Sequence, residues 1–84
     1  MMKKILLDAR EMEHPKPFEH AIRHLQIMSK EQYLYMLNQK CPVPLLELAK
    51  DKRFFYATKQ DAKEHWHIII SKNSTLDLEE LFDV

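Results

Sequence analysis

The sequence predicts a small α/β (α+β) domain, a two-layer sandwich in the order β-α-β-α-β-β, with a four-stranded mixed sheet and two helices on one face. Three observations predict it. Two Pro-x-Pro segments, His14-Pro15-Lys16-Pro17 and Cys41-Pro42-Val43-Pro44, each open onto a run with helical apolar spacing. A short apolar run precedes the first, and an aromatic-rich alternating run precedes the second. Two further strand-like runs joined by a polar turn complete the order.

Lys3 to Asp8 is Ile/Leu-rich and bounded by charge, the pattern of a strand buried on both faces. From Phe18, the apolar residues Ala21, Ile22, Leu25 and Met28 form one helical stripe, with Glu19, Arg23 and Gln26 away from it. Pro15 and Pro17 fall before or within the first turn, where a missing N–H costs little. Glu31 to Asn38 reads as the second strand, Leu34 and Met36 facing one way and Tyr33, Tyr35 and Leu37 the other. Leu45, Leu46, Leu48 and Ala49 mark a shorter helix ending near Asp51. Phe54 to Thr58 and His65 to Ser71 read as two strands around the turn "KQDAKE". In the last strand Trp66, Ile68 and Ile70 alternate with His65, His67 and Ile69, so one set meets the helices.

Such an arrangement leaves the second sheet face open, carrying some of Tyr33, Tyr35, Leu37, His65, His67 and Ile69. That face is too apolar for a solvated surface, which points to a protein partner or a homodimer. Residues 1–72 make the domain and residues 73–84 an acidic-hydrophobic tail or short helix. In the tail Leu76, Leu78, Leu81 and Phe82 stand among four acidic residues, and Thr75 is the expected cap. The tail reads as a helix folded back over the domain or a frayed end, with a docking peptide as the alternative.

Composition narrows the functions. A chain of 84 residues holds one core and is too small for a large substrate-enclosing enzyme. Thirteen basic and thirteen acidic side chains cancel, so no global field draws in nucleic acid or an anionic membrane. The run Ile5 to Leu7 ends at Asp8, too short for a secretory signal, and no later run reaches the roughly 20 apolar residues of a membrane span. A cytoplasmic location is the expectation, and the single cysteine suits a reducing compartment. The chain has no glycine, which excludes phosphate-cradling loops of the P-loop or dinucleotide type. Left-handed turn positions would then fall to Asn38, Asp51, Asp61 or Asn73.

The stretch "LDAREMEHPKPFEHAIRHL", residues 7–25, resembles the TusA/SirA-like sulfur-carrier family. In that family a strand ending in Asp and Arg leads to Cys-Pro-x-Pro at the start of the first helix. His14-Pro15-Lys16-Pro17 matches the motif with His for Cys. The sequence is most similar to small bacterial TusA-like domains of unknown function in the His-Pro-x-Pro form, and the likeness runs through "QYLYMLNQKCPVPLLELA" to "HWHIII". It implies the same β-α-β-α-β-β sandwich. The family's persulfide chemistry needs a thiolate, and His14 cannot hold a persulfide.

The candidate binding residues are Arg10, Glu11, Glu13, His14, Pro15, Pro17 and Cys41, with no catalytic residue and no cofactor assigned. His14 stands at a helix N-terminus beside Glu11 and Glu13, either contacting a ligand or hydrogen-bonding locally to cap the helix. Cys41 precedes the second helix, either as a thiol tuned by that helix's amides or as a packing residue. Asp8 and Arg10 can form an ion pair or bind an anion. His20 and His24, at i and i+4, and His65 and His67, on one strand face, have metal-compatible spacing, but neither pair has an obvious third ligand. The leading reading is a non-catalytic module binding a small ligand or a protein through the His14 junction. The alternatives are a persulfide carrier using Cys41 and a histidine-based metal or redox-cofactor protein.

Overall fold

The structure, a computed structural model, describes residues 2–84. Its elements are β1 (Lys3–Asp8), α1 (Lys16–Ile27), β2 (Gln32–Asn38), α2 (Val43–Asp51), β3 (Phe55–Ala62), β4 (His65–Ser71) and a 3-10 turn at Leu78–Leu81. The sheet order is β1-β2-β4-β3, with β1 parallel to β2 and the other two pairings antiparallel. The predicted β-α-β-α-β-β order and mixed sheet are what the chain forms. No helix among the described residues is long and apolar enough to cross a membrane.

The two strand faces separate as the alternation demands. Leu7, Leu34, Met36, Ile68 and Ile70 turn toward Ala21, Leu25 and Met28 of the first helical layer and Leu45 and Ala49 of α2, all buried, with Trp66 packed half-buried at the edge. The small Ala21 and Ala49 let both helices sit close to the strands. At the far end of α1 the Lys72 ammonium donates to the Met28 carbonyl at 2.6 Å, a cation where the helix dipole favours one.

Five local expectations are corrected. Strand β1 is not buried on both faces: it is an edge of the sheet, with Leu7 buried, Ile5 half-buried and Leu6 59% exposed. Strand β3 runs on through Lys59, Gln60 and Asp61 to Ala62, so the turn shrinks to Lys63 and Glu64. It is an edge strand exposed to water along most of its length, so polar residues there carry no turn signal. The left-handed positions are Arg53 (φ 62) and Glu64 (φ 59), not the Asn and Asp residues. The tail turn begins after Asp77, and Thr75 caps nothing; its hydroxyl donates to Asn73 Oδ1 instead.

The fifth concerns the second sheet face, whose apolar centre is not open. Leu78 is buried against Tyr33, Tyr35 and Ile69, with Leu76, Leu81 and Phe82 packed around them. Three polar contacts pin the segment. The Lys4 ammonium meets the Asp83 carboxylate at 2.6 Å, the Asp83 N–H donates to the Tyr35 hydroxyl at 2.9 Å, and Lys59 donates to the Val84 carbonyl at 3.1 Å. The C-terminal segment thus meets Tyr33, Tyr35 and Ile69 from within the chain, while Leu6 on the same face stays 59% exposed. Leu78→Ala should cost about 2–4 kcal/mol, the range for a buried leucine, whereas Ile27→Ala, at a position 76% exposed, should change stability by no more than about 0.5 kcal/mol. Urea denaturation of the two variants checks the contrast.

Candidate functional site

Strands β1 and β2 are parallel neighbours, and each is followed by a helix, so both Pro-x-Pro junctions emerge at the same end of the sheet. Two bonds tie the junctions together. The Ala9 N–H donates to the Leu37 carbonyl at 2.8 Å, and the Gln39 side-chain amide donates to the Arg10 carbonyl at 2.5 Å. Between them opens a cleft of about 830 Å³. Arg10, Glu11, Glu13, His14, Pro17 and Cys41 line it, with Met12, Phe18, Pro42, Pro44 and Leu45 as its apolar surface. Of the sequence-predicted residues only Pro15 lies outside the lining.

His14 is exposed, and no side chain caps α1; the first turn closes through the Glu19 N–H on the Pro15 carbonyl at 3.1 Å. The capping role is therefore removed from His14, and its imidazole is left facing the cleft. Cys41 is half-buried on the opposite wall, just ahead of α2. Burial pushes its thiol up, which opposes the thiolate that the helix start would favour.

Arg10 closes one end of the cleft. Its Nε and Nη2 donate to Asp8 Oδ1 and Oδ2 at 2.9 and 2.7 Å, so the pair is bidentate. Its remaining Nη1 stands 3.4 Å from His65 Nε2. The sequence left Asp8 and Arg10 open between ion pair and anion site, and the geometry is that of the pair.

Beyond Arg10, on the second sheet face, lies a group the sequence reading did not complete. Asp61, His65 and His67 each present one ligand-type atom within 4.8 Å of the others, the one such trio among the described residues. The register of β3 slips between Gln60 and Ala62, leaving Asp61 on a bulge that turns its carboxylate onto both imidazoles. Oδ1 is 2.6 Å from His65 Nδ1 and Oδ2 is 3.2 Å from His67 Nε2. Burial would push the Asp61 carboxyl up, but the two histidines together hold it below the usual range. His67 Nδ1 meets the Tyr35 hydroxyl at 2.7 Å, and burial pushes that phenol up. Asp61 escaped sequence reading because it was assigned to a turn; the signal available was its i, i+4 spacing to His65. His20 and His24 gain no such third partner.

The Arg10 guanidinium holds the Asp8 carboxyl at about 2, below its ordinary 3.8. The depressed value means the pair's contribution is fully present above pH 3.8 and is lost as pH falls through about 2. Both side chains are nearly half exposed, so salt should weaken it. Arg10→Gln should return the Asp8 titration toward 3.8, read from its carboxyl carbon by NMR.

No curated protein and no solved structure matches the chain. A family match spans residues 6–72. It begins within β1 and ends one residue past β4, taking in both Pro-x-Pro junctions and the Asp61-His65-His67 trio and leaving the C-terminal cover outside. The chain belongs to DUF2249, a family of uncharacterized conserved proteins.

Proposed function

We propose that the chain is a small, non-catalytic TusA-like module of the cytoplasm that binds a small ligand or a protein segment in the cleft between its Pro-x-Pro junctions. The observation that carries this reading is the convergence of His14 and Cys41, separated in sequence, on one cleft of about 830 Å³. Mixed walls support it: Met12, Phe18 and Leu45 offer apolar contact, while Glu11, Glu13, Lys40 and His14 offer charge and hydrogen bonds. The partner would engage this end of the sheet, since the C-terminal segment covers the second face. The β-α-β-α-β-β order and the His-Pro-x-Pro motif support TusA-like descent, with an imidazole where carriers keep their sulfur.

A titration of the nitrogen-15-labelled chain with a library of polar fragments tests the reading. Shifts should cluster at Met12, His14, Phe18, Cys41 and Leu45, and His14→Ala should weaken them while leaving the thermal melt intact. Hits elsewhere, or a collapsed melt, would remove His14 from the binding role.

The second reading, a persulfide carrier using Cys41, rests on that thiol's place at the cleft wall before α2. Its raised pKa weighs against it. Intact mass after exposure to a cysteine desulfurase and free cysteine decides: added sulfur on wild type but not on Cys41→Ala establishes the carrier. No added sulfur, with the donor active on a true carrier, leaves Cys41 as a wall of the cleft.

A further inference from the structure

We infer that Asp61, His65 and His67 form a binding site for a divalent first-row transition ion such as zinc, on the second sheet face and separate from the cleft. Two imidazoles and a carboxylate are a donor set that zinc and its neighbours accept, and three protein ligands leave a fourth position for water. Around a shared tetrahedral ion with bonds near 2.0–2.1 Å, donor atoms stand about 3.3 Å apart. Asp61 Oδ1 lies 2.6 Å from His65 Nδ1, Oδ2 lies 3.2 Å from His67 Nε2, and one donor atom of each residue lies within 4.8 Å of the other two, so the side chains need to close around the ion and not to be brought from a distance.

The second observation is independent of spacing. His67 is 4% exposed, and its Nε2 is the one buried side-chain polar atom without a hydrogen-bond partner. Asp61 Oδ2 stands 3.2 Å from it without making a hydrogen bond. A buried ring nitrogen in that condition costs free energy unless something satisfies it. Its other nitrogen is held by Tyr35 at 2.7 Å, and Tyr35 is itself fixed by the Asp83 N–H. In the tautomer whose Nδ1–H donates to the Tyr35 oxygen, Nε2 carries a lone pair facing the Asp61 carboxylate, a repulsion that an ion between them would relieve, and Tyr35 is then the outer partner of a metal-binding histidine.

On binding, His67 Nε2, His65 Nδ1 and an Asp61 oxygen each give a lone pair to the ion, and the proton that His65 Nδ1 shares with Asp61 leaves that nitrogen. His65 would then carry its proton on Nε2, so Arg10 Nη1, which can only donate and now stands 3.4 Å away, would turn aside. Arg10 is the opposing group, and Asp8 meets its charge.

The test titrates the full untagged chain with zinc against a chromogenic indicator. One ion per chain and a raised Tm are expected. Asp61→Asn and His65→Ala should each lower affinity by more than the roughly 10–100-fold that loss of an outer partner costs, and Tyr35→Phe by about that amount. Circular dichroism of the variants separates a lost ligand from a lost fold. The double variant His20→Ala, His24→Ala should bind as wild type. In wild type itself, long-range proton–nitrogen spectra should show His67 Nε2 and His65 Nδ1 moving on zinc addition. No zinc bound, affinity unchanged in both Asp61→Asn and His65→Ala, or ring shifts confined to His14, His20 and His24 would overturn the site.

Discussion

The hydroxyl of Tyr35 is the point on which the second layer depends. It lies on β2, fully buried, and meets His67 Nδ1 of β4 at 2.7 Å and the Asp83 N–H of the C-terminal segment at 2.9 Å. Either polar group, buried alone, would cost about 1–3 kcal/mol, so each needs the other. The ring adds packing: Phe82 stands edge-on to both Tyr35 and His67, and the Lys4 ammonium lies 4.4 Å over the Tyr35 face. One hydroxyl therefore couples a central strand pair to a segment that joins no sheet.

That coupling explains how so short a chain covers the centre of its second sheet face. A two-layer sandwich of this length would otherwise expose Tyr33, Tyr35 and Ile69 to water. Leu78, Leu81 and Phe82 supply the missing apolar layer, while Glu79 and Glu80 stay outside. Coverage stops short of Asp8, Arg10, Asp61 and His65. The sheet face is thus divided between an apolar half under the segment and a polar half beside it, and His67 sits at the boundary.

Much of this division was legible in the sequence, because strand alternation sorts residues by face whatever the neighbouring strands prove to be. Tyr33, Tyr35, His65, His67 and Ile69 were read on one face, and Leu34, Met36, Ile68 and Ile70 on the other, as the register places them. The two helix starts were legible from their prolines, and parallel pairing of the strands before them brings His14 and Cys41 to one cleft. The edge strand was not legible. Lys59, Gln60 and Asp61 are as acceptable on a solvated edge as in a turn, and only pairing with His65 and His67 tells the two apart. An amphipathic tail announces an apolar face but not the surface that receives it.

The same ambiguity explains why the cleft and the trio differ in how they can be found. The cleft is built from junctions, where proline and an exposed chemical group mark themselves in the linear sequence. The trio is built from a bulge on one strand and two positions on its neighbour, so its third member becomes visible only through the hairpin register. Arg10 touches both: its carbonyl is bound by Gln39 from the cleft's far wall, and its guanidinium faces His65. His65 is therefore in contact with a residue that lines the cleft, an arginine anchored to Asp8. This places the polar half of the second face and the Pro-x-Pro cleft within one connected set of contacts rather than on independent surfaces.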